Sequence, residues 1–424
     1  MEKYIYKCFN CSSEFLSNQI EKNFIYLCPT CGKAEENKPL RGVLKVEYDY
    51  ADLKKKLSRE NFLKLPAGQF WLYPELWPVE FEHQTSNIKH QTFNNDFLNR
   101  IRLTSDPYFE LNYDGNIFSV FDDTRNPTLS FKDRASSLVA VKAIELGISE
   151  IAAASTGNAG SSLAGICSRL GIKSYIFVPE NIPTAKRIQI QSFGANIYLV
   201  KGDYDQAFDL CLEISSAKKW YNRNTAYNPL TIEGKKSAAY DIFISTKGNI
   251  PDILFVPVGD GVIISGIYKG FWELLQLGWI EKLPKLIAVQ AEGSNALVRY
   301  LATKQFEYKP ASTIADSISA GAPRNLVVAA DAVMKSNGKA IEVTDEEILN
   351  AQKSVARDFG MLIEPASAVS FAGYKKYLHA GKLNSEKIML LFTGNGLKDL
   401  SSLSKWNEAQ TVRSAEEWKT ILDV

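Results

Sequence analysis

The sequence predicts an α/β protein of doubly wound parallel sheets, preceded by a small cysteine-bearing ribbon. Two observations predict it. From residue 130 onward, short apolar runs alternate with segments of helical period, as repeated β-α-β units require. Near the N-terminus, four cysteines form two close pairs, Cys8-Phe-Asn-Cys11 and Cys28-Pro-Thr-Cys31, with sixteen residues between them.

The cysteine pairs come first in the chain. Two cysteines separated by two residues reach one ion through a tight turn, and a second such pair completes a tetrahedral site with no open position. Cys8, Cys11, Cys28 and Cys31 are therefore read as ligands of a structural Zn2+ in a ribbon over residues 1–40. A redox pair or four free thiols are the competing readings. Cys167 and Cys211 fall in helical segments and are expected to be buried. Within residues 1–41, Lys3, Lys7, Lys22, Lys33, Lys38 and Arg41 face Glu2, Glu14, Glu21, Glu35 and Glu36, too even a balance for a nucleic-acid footprint.

Residues 41–115 read as a lead-in arm with short elements, because Phe70-Trp71-Leu72-Tyr73-Pro74 and Trp77-Pro78 break any period. The polar run His83-Gln84-Thr85-Ser86-Asn87 follows them. Residues 116–424 form the expected catalytic region, with a small open α/β domain at about 150–225 inserted in a larger one. Strands are predicted at Ile151–Ala154, Ser174–Val178, Asn196–Val200, Ile253–Pro257, Leu286–Gln290 and Ile388–Phe392. Amphipathic helices are predicted at 345–359 and 366–378, and no repeat is present.

At 424 residues the chain exceeds one ordinary core, so two or three domains are expected. With 45% hydrophobic and 23% charged residues, and Lys+Arg 49 against Asp+Glu 48, it lacks the charge bias of a nucleic-acid binder or a disordered chain. A small-molecule ligand fits this balance. No run approaches the ~18 apolar residues of a membrane span, and Met1–Lys7 has no apolar core of a signal peptide. A cytoplasmic protein without membrane association, its thiols reduced, is the expectation.

Four segments carry chemistry. In Asp122-Asp-Thr-Arg-Asn-Pro-Thr-Leu-Ser-Phe-Lys132-Asp-Arg134, a lysine stands where an extended segment turns into a helix expected from near Ser130. A desolvated helix N-terminus disfavours the ammonium and suits a nucleophilic amine, although a solvated lysine in a first turn is the competing reading. The second segment, Ala154-Ser155-Thr156-Gly157-Asn158-Ala159-Gly160, joins an apolar strand to an apolar helix. Its amides and hydroxyls suit an anion such as a carboxylate, or serve as a helix cap.

The third segment, Val258-Gly259-Asp260-Gly261-Val262-Ile263, also opens a helix after a strand, and it reads as a phosphate cradle. Asp260 is the awkward member, because a carboxylate beside a phosphate must turn outward. The fourth, Thr393-Gly394-Asn395-Gly396-Leu397-Lys398-Asp399, follows the last predicted strand.

These segments, in this order, resemble those of threonine synthases, members of the fold-type II, tryptophan-synthase-β-like pyridoxal-phosphate enzymes. The Asn126–Arg134 and Thr393–Asp399 motifs carry the likeness most specifically, and it extends to Tyr221–Lys236 and Val289–Gly293. The resemblance implies two doubly wound domains with pyridoxal 5'-phosphate between them, held by Lys132 as a Schiff base. It further implies that Asn158 meets the phenolic oxygen and that Gly259, Asp260, Gly261, Val262 and Ile263 hold the phosphate. Thr393 would meet the ring nitrogen, and Ser155, Thr156, Gly157 and Ala159 the substrate carboxylate. A phosphorylated amino acid would be the substrate, with O-phosphohomoserine and water giving threonine and phosphate, and a homodimer is the usual assembly.

Three departures bear on the substrate. Thr231 stands where many relatives have an arginine, the Thr-Pro-Leu segment before the lysine motif is replaced near Leu103–Tyr108, and Leu129 occupies a position that is often small. They leave room for β-replacement on O-phosphoserine, as with sulfite to give cysteate, for a threonine or serine dehydratase, and for a silent relative that binds without turnover. Arg125, Arg324 and Lys186 are candidates to supply positive charge to a phosphate or sulfonate, or are solvated surface residues.

Overall fold

In a computed structural model, the structure describes residues 2–79, 95–155, 157–381, 386–407 and 411–422. The run 83–87 and Thr156 lie outside the described residues.

The N-terminal segment folds as β1 (Tyr4–Cys8), β2 (Glu14–Leu16) and β3 (Leu44–Tyr48), an antiparallel sheet in the order β2-β1-β3. Strict alternation in β1 and β3 buries Tyr4, Tyr6 and Cys8 on the same side as Leu44, Val46 and Tyr48. Next comes the hairpin β4 (Tyr108–Tyr113) and β5 (Asn116–Asp122), turning at Asp114-Gly115 with both residues at positive φ, as a tight hairpin turn requires.

A four-stranded sheet follows, made of β6 (Glu150–Ala154), β7 (Lys173–Pro179), β8 (Asn196–Val200) and β9 (Tyr221–Asn222) in the order β8-β7-β6-β9. All its pairings are parallel. The remaining strands, β10 (Ile253–Pro257), β11 (Lys285–Ala291), β12 (Lys339–Val343) and β13 (Ile388–Phe392), join the hairpin in a six-stranded sheet ordered β12-β11-β10-β13-β5-β4. It is parallel except at the edge strand β4. Every residue of β10 and β13 is buried, the uninterrupted apolar run expected of a parallel strand covered on both faces.

All six predicted strands are present, extended by one or two residues where they differ. The helices Asp345–Phe359 and Pro365–His379 also stand where the periodicity places them. The sequence reading differs from the structure at β4, β5 and β12, whose half-polar patterns hide them, and in the lead-in arm, where β3 belongs to the ribbon sheet. Among the described residues no helix is long and apolar enough to cross a membrane.

The ribbon is docked on the body through buried polar groups. The Tyr48 hydroxyl donates to Glu233 at 2.6 Å, Lys269 Nζ donates to the Val46 carbonyl at 2.7 Å, and the Leu40 N–H donates to the Arg324 carbonyl at 3.0 Å. The four cysteine sulfurs lie within 4.8 Å of one another, with Cys8–Cys31 at 3.5 Å and Cys11–Cys28 at 3.6 Å.

Candidate active site

Ligands of open parallel sheets gather beyond the carboxyl ends of the strands. Four such ends meet here. β5 leads to Lys132, β6 to Ser155 and Asn158, β10 to Gly259–Ile263, and β13 to Thr393. They surround a cleft holding about 650 Å³ of empty space, partly open to solvent, whose wall includes Lys132, Ser155, Asn158, Lys235, Asp260 and Ile263.

The lysine segment is fixed at both ends. After β5, the Asp123 N–H donates to the Phe392 carbonyl at 2.9 Å, and the buried Asp123 carboxylate takes the Arg134 Nη2 at 2.8 Å while Arg134 Nη1 reaches Asp241 at 2.6 Å. The Phe131 N–H donates to the Thr393 carbonyl at 2.9 Å, and Asn395 N–H to the Leu129 carbonyl at 3.1 Å. The helix begins at Asp133, not near Ser130, and Lys132 is its N-cap residue. Asp133 accepts from the Thr128 backbone N–H at 2.7 Å, so the loop closes on the first helical residue and keeps Lys132 at the junction.

Leu129 has φ +65°, a left-handed conformation that costs a side-chain-bearing residue about 1–2 kcal/mol. Glycine alone would escape that cost, because any Cβ meets the same clash. Its side chain is not among those lining the cleft, so it does not shape the pocket.

Burial, then the positive charge of Arg223, lowers the Lys132 pKa to about 8, against the opposing pull of Asp260 and Glu364. A substantial fraction is therefore neutral near pH 8, as a nucleophile or proton acceptor needs.

On the opposite wall, Ser155 Oγ accepts from the N–H groups of Gly157 and Gly160 at 2.9 and 2.8 Å, which leaves its own proton to donate. Gly157 has φ +142°, and a Cβ there would meet Lys186 Cδ at 2.2 Å, so only glycine fits between the loop and that lysine. Asn158 Nδ2 donates to Glu364 at 2.6 Å and to Ser317 at 3.0 Å, while its Oδ1 is buried without a partner. Ala159 lines the cleft beside it.

At the third corner, Gly261 caps the helix Val262–Gln276 with φ +85°. The first-turn N–H groups of such a helix have no intrahelical acceptor, and Val262 and Ile263 line the cleft. Asp260 lines the cleft here, with its carboxylate already engaged. Its carboxylate accepts the Arg324 N–H at 3.1 Å and the Tyr204 hydroxyl at 3.3 Å. Thr393 is pinned through its backbone, donating to Ser367 Oγ at 2.7 Å, and it does not itself line the cleft.

The three residues considered as anion clamps are already occupied. Arg324 donates to Asp205 at 2.7 Å and to the carbonyls of Glu35 and Lys38. Arg125 pairs with Asp122 at 2.9 Å, outside the cleft wall. Lys186 is buried between Asp316 at 2.7 Å and Glu364 at 2.9 Å, and these partners hold its pKa up against burial. Thr231 is buried and closes its own loop, its hydroxyl donating to the Asn228 carbonyl at 2.7 Å.

Sequence reasoning missed Glu364, Asp316, Ser317 and Lys235. Glu364 precedes Pro365 at a helix start and reads as an ordinary cap, and only the fold brings it against Asn158, 206 residues earlier.

Fold and site together define an α/β protein that sets a lysine of lowered pKa and the N-terminus of the helix Val262–Gln276 in one cleft. The family model for pyridoxal-phosphate dependent enzymes matches residues 106–394. The chain is 36% identical over 401 residues to a threonine synthase of Methanocaldococcus jannaschii, covering 93% of this chain and 92% of that one. It is 34% identical over 425 residues to a threonine synthase of Methanosarcina acetivorans, covering 99% and 96%. Among solved structures, a fungal L-serine ammonia-lyase from Rhizomucor miehei superposes with a TM-score of 0.62 at 18% identity, over 72% of this chain and 97% of that one. The chain therefore belongs to the pyridoxal-phosphate-dependent enzymes, within the threonine synthase family.

Proposed function

We propose that the chain is a threonine synthase, converting O-phosphohomoserine and water to threonine and phosphate. The observation that carries the reading is the placement of Lys132, with a pKa lowered to about 8, in one cleft with the N-terminus of Val262–Gln276. The residues present fit pyridoxal 5'-phosphate. There is an amine to bind its aldehyde, a helix N-terminus behind a positive-φ glycine for its phosphate, and in Asn158 an amide whose Oδ1 still lacks a partner. When bound, the cofactor supplies an electrophilic carbon for amines and a conjugated ring that takes up the electron pair left by a departing proton.

Lys132 is the group that both attaches the cofactor and, once freed by the substrate amine, moves protons. Its lowered pKa lets Lys132 carry one proton at a time without a large free-energy step: it would take one from Cα and, having passed it on, one from Cβ, and would return one to Cγ, which becomes the methyl group, and one to Cα, while the proton lost by the added water leaves with the phosphate. Phosphate leaves from Cγ and water adds at Cβ. Ser155 donates its free hydroxyl proton to the substrate carboxylate, supported by Thr156, Gly157 and Ala159, which positions Cα over Lys132. Asn158 would hold the phenolic oxygen, which would donate its proton to the free Oδ1, since Nδ2 already donates to Glu364 and Ser317. Thr393, which follows β13 but does not line the cleft, would meet the ring nitrogen, and a hydroxyl there would not protonate the ring as a carboxylate would, which suits elimination and replacement chemistry.

The four cysteines are the ligands of a structural Zn2+. Zinc–sulfur bonds of about 2.3 Å set tetrahedral sulfur separations of about 3.8 Å, close to the 3.5 and 3.6 Å seen here. The domain reading of a ribbon over 1–40, an arm over 41–115 and a catalytic region over 116–424, with a four-stranded unit at about 150–225 inserted in it, is kept with two bounds moved, because β3 joins the ribbon sheet and β4 the six-stranded sheet. A homodimer is the proposed assembly, supported by exposed Leu362, Leu397 and Leu400 on adjoining segments. Sedimentation at the mass of a single chain would contradict it. The reading of the site is tested with Lys132→Ala. The wild-type protein with pyridoxal phosphate is expected to show a visible absorption band that the variant lacks, and a variant that keeps the band would overturn the assignment of Lys132.

A further inference from the structure

Lys235 ends the short helix Leu230–Lys235 and is 1% exposed. Its Nζ is buried without a hydrogen-bond partner, yet the side chain lines the same cleft as Lys132 and Gly259–Ile263. Other buried lysines are satisfied by the protein. Lys186 has Asp316 and Glu364, Lys236 has Glu233 and Glu273, and Lys398 has Gln189 and Ser161. Lys235 also sits close to the phosphate corner. A Cβ built on Gly266, on the helix Val262–Gln276, would meet Lys235 Cβ at 2.6 Å, so the lysine stands beside the opening turns of the helix that begins at the cleft.

The charge around it is unbalanced. Burial, Arg223 and Lys132 all press the Lys235 ammonium toward losing its proton, and Asp260 alone opposes them. The Asp260 carboxylate is already shared between Tyr204 and the Arg324 N–H. Arg223 is itself buried, with Nη2 unpartnered. Lys235 thus stands beside a helix N-terminus, with Lys132 and Arg223 pressing on it and one carboxylate, already engaged, opposing them, and a doubly charged anion resolves the imbalance.

We propose that Lys235 binds a phosphate monoester dianion in the cleft, together with the N-terminal amides of the helix Val262–Gln276. The proposal rests on reading the cleft as the cofactor site. That dianion has two sources, the 5'-phosphate of the cofactor and the phosphate of the substrate. In either case Lys235 fills the need for fixed positive charge that Thr231, buried in its own loop, cannot meet.

The test compares wild-type, Lys235→Gln and Lys235→Met proteins by calorimetry. The probes are pyridoxal phosphate and pyridoxal, which lacks the phosphate, on the apo-proteins, and inorganic phosphate on the holoenzymes. If Lys235 holds the cofactor phosphate, both variants bind pyridoxal phosphate about tenfold more weakly while pyridoxal affinity stays within about twofold. If it holds the substrate phosphate, cofactor affinity is kept and inorganic phosphate binds the holoenzyme about tenfold more weakly. Unchanged affinity for both phosphates in folded variants overturns the proposal. Should neither variant fold, a shift of the Lys235 Nζ nitrogen resonance on adding inorganic phosphate to Lys132→Ala apo-protein supports the proposal, and a resonance that does not move overturns it. A wild-type protein that binds neither phosphate compound contradicts the cofactor site itself, whereas tight wild-type binding with unaffected variants removes only the role of Lys235.

Discussion

Lys132 is useful to the extent that it can lose its charge. Burial and Arg223 bring its pKa from 10.5 to about 8, so the neutral amine predominates above pH 8, where an exposed lysine is still charged. In apo-protein the rate of trinitrophenylation assigned to Lys132, with Lys132→Ala as the blank, is therefore expected to rise with a midpoint near pH 8. A midpoint near 10.5 would show that the cleft does not desolvate the amine. Residues of this kind were legible in the sequence because they sit at punctuation, where a strand gives way to a glycine-bearing turn and a helix. Lys132, Ser155, Asn158 and Gly261 all stand at such junctions. Glu364, Asp316 and Lys235 do not. Their relation to the cleft comes from tertiary closure, as when Lys186 meets Asp316 across 130 residues, and no local pattern announces it.

At the scale of elements, the helix Val262–Gln276 links the cleft to the ribbon. Its first turn opens at the cleft, and one turn from its other end Glu273 joins Lys236 and Lys269, with Glu233 in the same buried cluster. Burial disfavours the Glu273 carboxylate, but Lys236 and Lys269 outweigh it and bring its pKa from 4.5 to about 2. A carboxyl with a folded-state pKa below its unfolded value stabilises the fold above the unfolded value. That stability is lost as pH falls through the window from 4.5 to about 2. Glu273→Gln leaves Glu233 as the one carboxylate paired with two buried ammonium groups and is expected to cost about 3 kcal/mol in denaturant unfolding at pH 7, with a smaller difference from wild type near pH 3. An equal difference at both pH values would contradict this role. Elements were legible in proportion to their burial. The fully buried β10 and β13 read as apolar runs, whereas β12 has four half-buried residues in five and carried no clear period.

In the whole molecule, the ribbon and the Gly259–Ile263 corner of the cleft share Arg324. Its guanidinium holds the carbonyls of Glu35 and Lys38, its carbonyl receives the Leu40 N–H, and its own N–H holds Asp260. Removal of the proposed zinc is therefore expected to be felt at the cleft. Chelation is expected to lower the melting temperature and to weaken pyridoxal phosphate binding several-fold, whereas unchanged cofactor affinity after complete metal removal would disconnect the two sites. The ribbon was legible from spacing alone, but its attachment through Arg324 was not, because Arg324 lies 289 residues from Glu35. The most direct test of the account as a whole is phosphate release from O-phosphohomoserine and from O-phosphoserine, with and without sulfite, with each amino-acid product identified by mass. Threonine and phosphate in equal amounts from O-phosphohomoserine alone is the predicted result. Turnover confined to O-phosphoserine in the presence of sulfite would contradict it and make the chain a replacement enzyme on the same frame.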